Sequence, residues 1–184
     1  MDVLRHMVDE RGLQPERYRV FVDDETATFL LYNLSGQIVG YQRYRPGTSK
    51  EGRNDEAFRY YTYRTDDMHP GGRRTLAIAV WGLESFAYRD DVLFITEGIF
   101  DAVKLHNLGL PAIAVLANDP KHIAGWLGLV RRIRIVVADP DEGGAKLRKF
   151  GDVAITAEPH HDLGEMTNNQ VRLLLNERLP WLQF

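Results

Sequence analysis

The 184-residue chain contains no cysteine. That excludes disulfides, thiolate zinc sites and a cysteine nucleophile, and it fits a cytoplasmic setting. Long apolar runs are missing as well. The longest, Leu76–Leu83, falls far short of the roughly 20 residues a membrane helix needs. No secretory leader is expected, because Met1-Asp2 opens a charged, mixed segment. There are no internal repeats and no low-complexity tracts. No Walker A phosphate loop occurs.

What is present is an ordinary globular composition. Hydrophobic residues make up 44% and charged residues 27%, enough for one domain or two small ones with a core. The net charge of −3 gives no overall attraction to nucleic acid, but the charge is unevenly placed. Arg43–Arg74 holds eight basic residues against five acidic ones, and Ile135–Gln170 holds seven acids against three bases. A phosphate-holding surface and a metal-holding one would produce this separation; so would two solvated faces of opposite sign. Of the 23 basic residues 18 are arginine, the cation suited to planar phosphate contacts.

The pattern divides near Arg89. Before it, Asp2–Arg11 has helical spacing at Val3, Leu4, Met7 and Val8, with Gly12 as a stop. Arg19–Val22 and Thr28–Tyr32 alternate as strands do. Asn33-Leu34-Ser35-Gly36 is a turn, and Gln37–Tyr44 completes a hairpin. Pro46–Glu56 has no periodicity and reads as a loop. Phe58–Arg64 interleaves aromatics with arginines, either as a strand with an aromatic core face or as a surface for stacking bases. His69–Arg74 is a basic turn, and Leu76–Leu83 is a strand or packed turn.

After Arg89 strands and helices alternate: Val92–Thr96, Ile99–Leu108, Ala112–Leu116, Lys121–Val130, Ile133–Val137, Ala145–Phe150, Val153–Ala157 and Asn168–Leu179. The strands are continuously apolar, which predicts a parallel sheet covered on both faces. The expected class is therefore α/β, with a small α+β subdomain of antiparallel strands at residues 1–89 and a parallel-sheet domain at 90–184.

In such a sheet ligands sit beyond the carboxyl ends of the strands. Glu97 lies there after one strand, and Asp139 and Asp141 after another. Asp101 falls in the first turn of the following helix, where an acid is favourable in any case. In an extended segment Asp139 and Asp141 can point the same way, and Gly143-Gly144 lets the backbone turn tightly. Oxygen-only ligands at strand ends suit Mg²⁺ or Mn²⁺. Glu97, Asp101, Asp139 and Asp141 are the candidate ligands. His160-His161 is either a structural loop pair or a further contact to phosphate or metal.

Glu97-Gly98-Ile99-Phe100-Asp101-Ala102 followed by Asp139-Pro140-Asp141-Glu142-Gly143-Gly144 resembles the Toprim domain of bacterial-type primases, topoisomerases and some nucleases. His161-Asp162-Leu163-Gly164-Glu165 is similar to a later segment of phage primase–helicases, with His and Gly where Lys and Asn are usual. The earlier Tyr32–Tyr41 hairpin and Val80–Glu84 are similar to the subdomain that precedes Toprim in primases. The resemblance implies metal-dependent synthesis of short RNA primers on single-stranded DNA. Glu97, Asp139 and Asp141 would be catalytic, and Arg43, Arg45, Lys50 and Arg59 would hold template or nucleotide phosphates. Nucleoside triphosphates are the implied substrates. With no cysteine the usual zinc ribbon is not in this chain, so a separate helicase or template-reading subunit is an implied partner. A Toprim nuclease and a non-catalytic replisome module are the alternatives. A cytoplasmic setting, in a bacterium or a phage-infected cell, is expected, with no membrane partner.

Overall fold

The computed structural model describes residues 2–49, 57–68, 74–76, 78–87, 90–117, 119–157 and 162–182. Lys50, most of the 46–56 loop, His69–Arg73 of the basic turn and His160-His161 lie outside them. The chain divides into two compact units, Met1–Trp81 and Gly82–Phe184. The sequence pattern changes near Arg89, eight residues later. The difference is the segment after Trp81, whose short 3-10 turn Leu83–Ala87 is stitched into the second unit.

The first unit begins with α1 (Val3–Asp9), capped by Asp2, whose Oδ1 accepts from the Arg5 N–H at 3.0 Å. Val3 and Met7 are buried, whereas Leu4 and Val8 stay exposed, so the inward stripe is narrower than the apolar spacing suggests. Gly12 ends the segment with φ 70°. Strands β1 (Val20–Val22), β2 (Ala27–Tyr32), β3 (Ile38–Tyr44) and β4 (Tyr60–Arg64) form an antiparallel sheet in chain order. The β2–β3 turn is held by Asn33, whose Oδ1 accepts from the backbone of Ser35 and Gln37 at 3.0 Å each. Gly36, with φ 75°, supplies the left-handed residue that the turn needs. Ala27, Phe29, Leu31 and Tyr44 point into the core beside Met7, Leu13 and Trp81. Trp81 meets Tyr18 at 4.9 Å and the edge of Phe29 at 6.3 Å between ring centroids. Leu76–Leu83 resolves into two pieces. Leu76 ends the small hairpin of β5 (Asp66–Met68) and β6 (Arg74–Leu76), and Val80 makes an isolated bridge to Tyr32.

The second unit is a four-stranded parallel sheet in the order β10-β9-β7-β8, from β7 (Val92–Thr96), β8 (Ala112–Ala114), β9 (Ile133–Ala138) and β10 (Val153–Thr156). Every residue of β7 is buried, as a strand covered on both faces requires. The connecting helices are α2 (Ile99–Asn107), α3 (Ala124–Leu127) and α4 (Glu142–Leu147), with α5 (Asn168–Arg178) closing the unit. The helix expected over Lys121–Val130 is a 3-10 turn, Lys121–Ile123, followed by one turn of α-helix. Gly125 and Gly128 make a longer helix costly there. The helix expected from Ala145 starts three residues earlier, because Asp141 caps it. Among the described residues no helix is long and apolar enough to cross a membrane.

Candidate active site

The order β10-β9-β7-β8 fixes where a ligand can enter. The chain leaves β7 toward β8 on one side, then returns to place β9 on the other. The carboxyl ends of β7 and β9 thus flank the point where the strand order reverses, which is where open parallel sheets hold their ligands. Glu97 follows β7 there and Asp139 follows β9, each half-buried.

The turn after β7 is held tightly. Thr96 Oγ1 donates to the Gly98 carbonyl at 2.9 Å. The Glu97 carbonyl accepts from the Leu116 N–H at 2.9 Å, tying the end of β8 to that of β7. Leu116 has φ 56°, a left-handed conformation uncommon for leucine and a local strain beside the site. Gly98 starts α2, and Asp101 Oδ2 reaches back to accept the Gly98 N–H at 3.1 Å.

Asp101 is the electrostatic centre of the site. Its other oxygen accepts from the Gly164 N–H at 2.8 Å, and that same N–H also meets Asp162 Oδ1 at 2.8 Å. The two carboxyl groups are themselves hydrogen-bonded. Loss of water raises the Asp101 pKa well above the usual carboxylate range; the charge of Asp162, its hydrogen bond and then the charge of Asp139 raise it further. The Gly164 N–H works in the opposite direction. Asp101 thus feels two carboxylates from other segments, Asp162 after β10 and Asp139 after β9.

Asp141 has a different local task. It is exposed, and its Oδ1 accepts from the Gly144 N–H at 2.7 Å as the N-cap of α4. Gly144 lies hard against the Asp139 backbone: a Cβ there would collide with the Asp139 carbonyl oxygen. The glycine in Glu142-Gly143-Gly144 is thus needed to hold Asp139 in place, as well as to turn the chain.

Asp162 is the residue that sequence reasoning undervalued. Its signal was present in Asp162-Leu163-Gly164, but its closeness to Asp101, 61 positions earlier, depends on the fold. Among the described residues no three His, Asp or Glu side chains converge in the arrangement that holds an ion. The donor chemistry nevertheless fits a hard divalent cation. Oxygen donors are crowded closely enough to repel one another, and a cation would relieve that repulsion.

The candidate phosphate ligands lie in the first unit. Arg43, on β3, holds its guanidinium carbon 5.4 Å from the Tyr61 ring centroid. Arg45 pairs with Glu25 at 3.4 Å. Arg59 donates from Nε to the Thr48 carbonyl at 2.9 Å, and its own carbonyl accepts from the Arg45 N–H at 2.8 Å. Arg45 and Arg59 therefore also brace the base of the loop between β3 and β4.

No protein-family model matches the sequence, and no curated protein matches it. Solved structures do. The antiparallel unit followed by a parallel α/β unit is similar in fold to primase catalytic cores. One such structure is the primase fragment of the bacteriophage T7 primase–helicase protein, at TM-score 0.60 and 15% identity, with 92% of this chain and 72% of that one covered. The E. coli primase catalytic core superposes at TM-score 0.61 and 16% identity, covering 96% and 64%. A DnaG primase catalytic domain bound to single-stranded DNA does so at TM-score 0.59 and 16% identity, covering 96% and 62%. At these identities the likeness is one of fold.

Proposed function

We propose that this chain is a Toprim-type primase core that joins ribonucleotides on a single-stranded DNA template. The observation that supports the reading is that Asp139 and Asp162, from separate segments, both act on Asp101 beside the switch point of a primase-like fold. Packing does not explain it, because both neighbours make Asp101 costlier to ionise. Asp139, Asp141 and Asp101 would hold Mg²⁺ or Mn²⁺, with Glu97 completing the set. A divalent cation bound there supplies charge neutralisation on the triphosphate and a lower pKa for the attacking 3′-hydroxyl. Glu97, half-buried at the end of β7, would alternatively take the proton of that hydroxyl. Arg43, Arg45, Lys50 and Arg59 would position template and nucleotide phosphates. The template strand and nucleoside triphosphates are the partners of this reaction, together with a separate helicase or template-reading subunit.

The test is oligoribonucleotide synthesis on a single-stranded template with Mn²⁺ and all four ribonucleotides. The Asp139→Ala/Asp141→Ala double variant is expected to lose product by at least about 100-fold. Synthesis at the wild-type rate by that variant overturns the proposal. Shortening of a labelled strand without nucleotides would assign the same carboxylates to a nuclease. Strand binding with no turnover under any metal would make the chain a replisome module.

A further inference from the structure

The antiparallel sheet of the first unit has two faces of different chemistry. One packs Ala27, Phe29, Leu31 and Tyr44 into the core. The other bears an aromatic surface that packing of the described residues leaves partly open. Strand register sets it in two rows. Phe21 lies opposite Thr28, Thr28 opposite Arg43, and Arg43 opposite Tyr61. In the second row Leu30 lies opposite Tyr41, and Tyr41 opposite Tyr63. Tyr63 is 47% exposed and Phe21 63%, while Tyr41, Arg43 and Tyr61 are half-buried.

The rings form a continuous patch. Tyr41 stacks on Tyr63 at 5.5 Å with planes 26° apart, and lies 6.1 Å from Tyr61 at 56°. The Arg43 guanidinium lies over the Tyr61 ring. The two rows contain no acid. Asp23, at the β1–β2 turn, feels the Arg43 charge from outside them. The solvent face of a two-sided antiparallel sheet normally alternates to polar residues. Three tyrosines beside an arginine match unpaired nucleobases instead: flat rings for stacking, and a cation for the adjoining phosphate or base face. The basic excess of Arg43–Arg74 has the sign that such a strand requires.

We propose that this sheet face binds single-stranded nucleic acid, stacking bases on Tyr41, Tyr61 and Tyr63 with Arg43 beside them. The face belongs to the first unit and the acidic residues to the second, and the proposal rests on the functional reading only for the kind of polymer it takes. It makes the strand contact sequence-tolerant, since every base has a stacking face.

The experiment is fluorescence anisotropy of a labelled thymidine 12-mer with the full chain in EDTA, without nucleotides, so that catalysis plays no part. Tyr41→Ala/Tyr63→Ala is expected to weaken binding roughly 10-fold or more, and Tyr41→Phe/Tyr63→Phe to retain it. Single Tyr63→Ala, at an exposed ring, checks that the effect does not come from misfolding. Arg43→Gln should lower the slope of log affinity against log salt by about one, whereas the tyrosine variants should leave it unchanged. The proposal is overturned if the wild type does not bind the 12-mer, if Tyr41→Ala/Tyr63→Ala binds like wild type, or if the Phe variants bind no better than the Ala ones. It is also overturned if Tyr63→Ala changes the sedimenting species while strand affinity stays constant, which would make the face a contact between copies. Binding by Asp139→Ala/Asp141→Ala at the wild-type level would keep this surface distinct from the acidic site. Stacking without synthesis would overturn the functional proposal alone.

Discussion

Asp101 and Asp152 show how placement sets the behaviour of one residue type. Asp152 faces Arg134, which donates to it from Nη2 at 2.6 Å, from Nε at 3.0 Å and from the backbone at 2.9 Å. Those bonds lower its pKa to about 2. The folded value lies below the unfolded one, so the stabilisation is present above about pH 4 and is lost as pH falls toward about 2. The pair is partly solvated and contributes at most about 1 kcal/mol. Asp101 has the opposite sign. Its folded pKa is raised by burial and by Asp162 and Asp139, so ionising it costs folding free energy. That cost grows as pH rises from the ordinary carboxylate range through its folded value. Asp101→Asn removes the charge and keeps one oxygen, enough to accept from either the Gly98 or the Gly164 N–H but not both. Thermal melts in EDTA across pH 4 to 8 should therefore fall less with rising pH for Asp101→Asn than for wild type. Added Mn²⁺ should raise the wild-type melting temperature more than that of the variant. Equal pH slopes and equal Mn²⁺ shifts would contradict this account.

At the scale of elements, the start of α4 decides where Asp139 sits. Asp141 caps the helix and Gly144 presses against the Asp139 carbonyl. Gly144→Ala forces those backbones apart, and a misfit of this kind typically costs ~1–3 kcal/mol. Urea denaturation should show that loss, and synthesis should fall with it because Asp139 moves. Unchanged stability would mean that the helix start tolerates the methyl group. A second element has a constellation that invites misreading. Ser85, His106 and Glu84 have the composition of a hydrolytic triad, with Ser85 Oγ 2.8 Å from His106 Nε2 and His106 Nδ1 4.0 Å from Glu84. Ser85 is wholly buried, however, and its hydroxyl donates to the Ala112 carbonyl at 2.6 Å while accepting the Ala112 N–H at 3.0 Å. It fastens the Leu83–Ala87 turn to the edge strand β8 and has no access to a substrate.

For the whole molecule, the two units differ in how they meet the cost of ordering a chain. The second closes a parallel sheet with helices and carries its own fastening through Ser85, and through Arg132, which donates to the Ser85 and Phe86 carbonyls at 3.2 and 3.1 Å. All its acidic candidates lie within it. Residues 82–184 expressed alone should therefore unfold cooperatively, with the helical circular dichroism of α2 and α5, and should gain stability from Mn²⁺. A molten fragment with no cooperative transition would show that the first unit is needed for it to fold. The chain as a whole has the fold of primase cores while spanning 72% of the T7 fragment and 64% of the E. coli core.

Local patterning is written in the sequence. Continuous apolar runs encode β7 and β9, alternation encodes the β2–β3 hairpin, and Glu97, Asp101 and Asp139–Gly144 mark strand ends where a parallel sheet holds ligands. These features depend on neighbours a few residues apart, so periodicity and turn chemistry reveal them. Other features only the tertiary structure decided. Strand order placed β9 beside β7, bringing Asp139 toward Asp101. The tertiary fold brought Asp162, which follows β10, to Asp101, and hydrogen bonding turned Asp141 into a helix cap. Cross-strand register set Tyr41 between Tyr61 and Tyr63 on the solvent side, which the interleaved Phe58–Arg64 pattern left open between core and surface. Proximity between residues tens of positions apart depends on register and strand order, and no short window of sequence contains either.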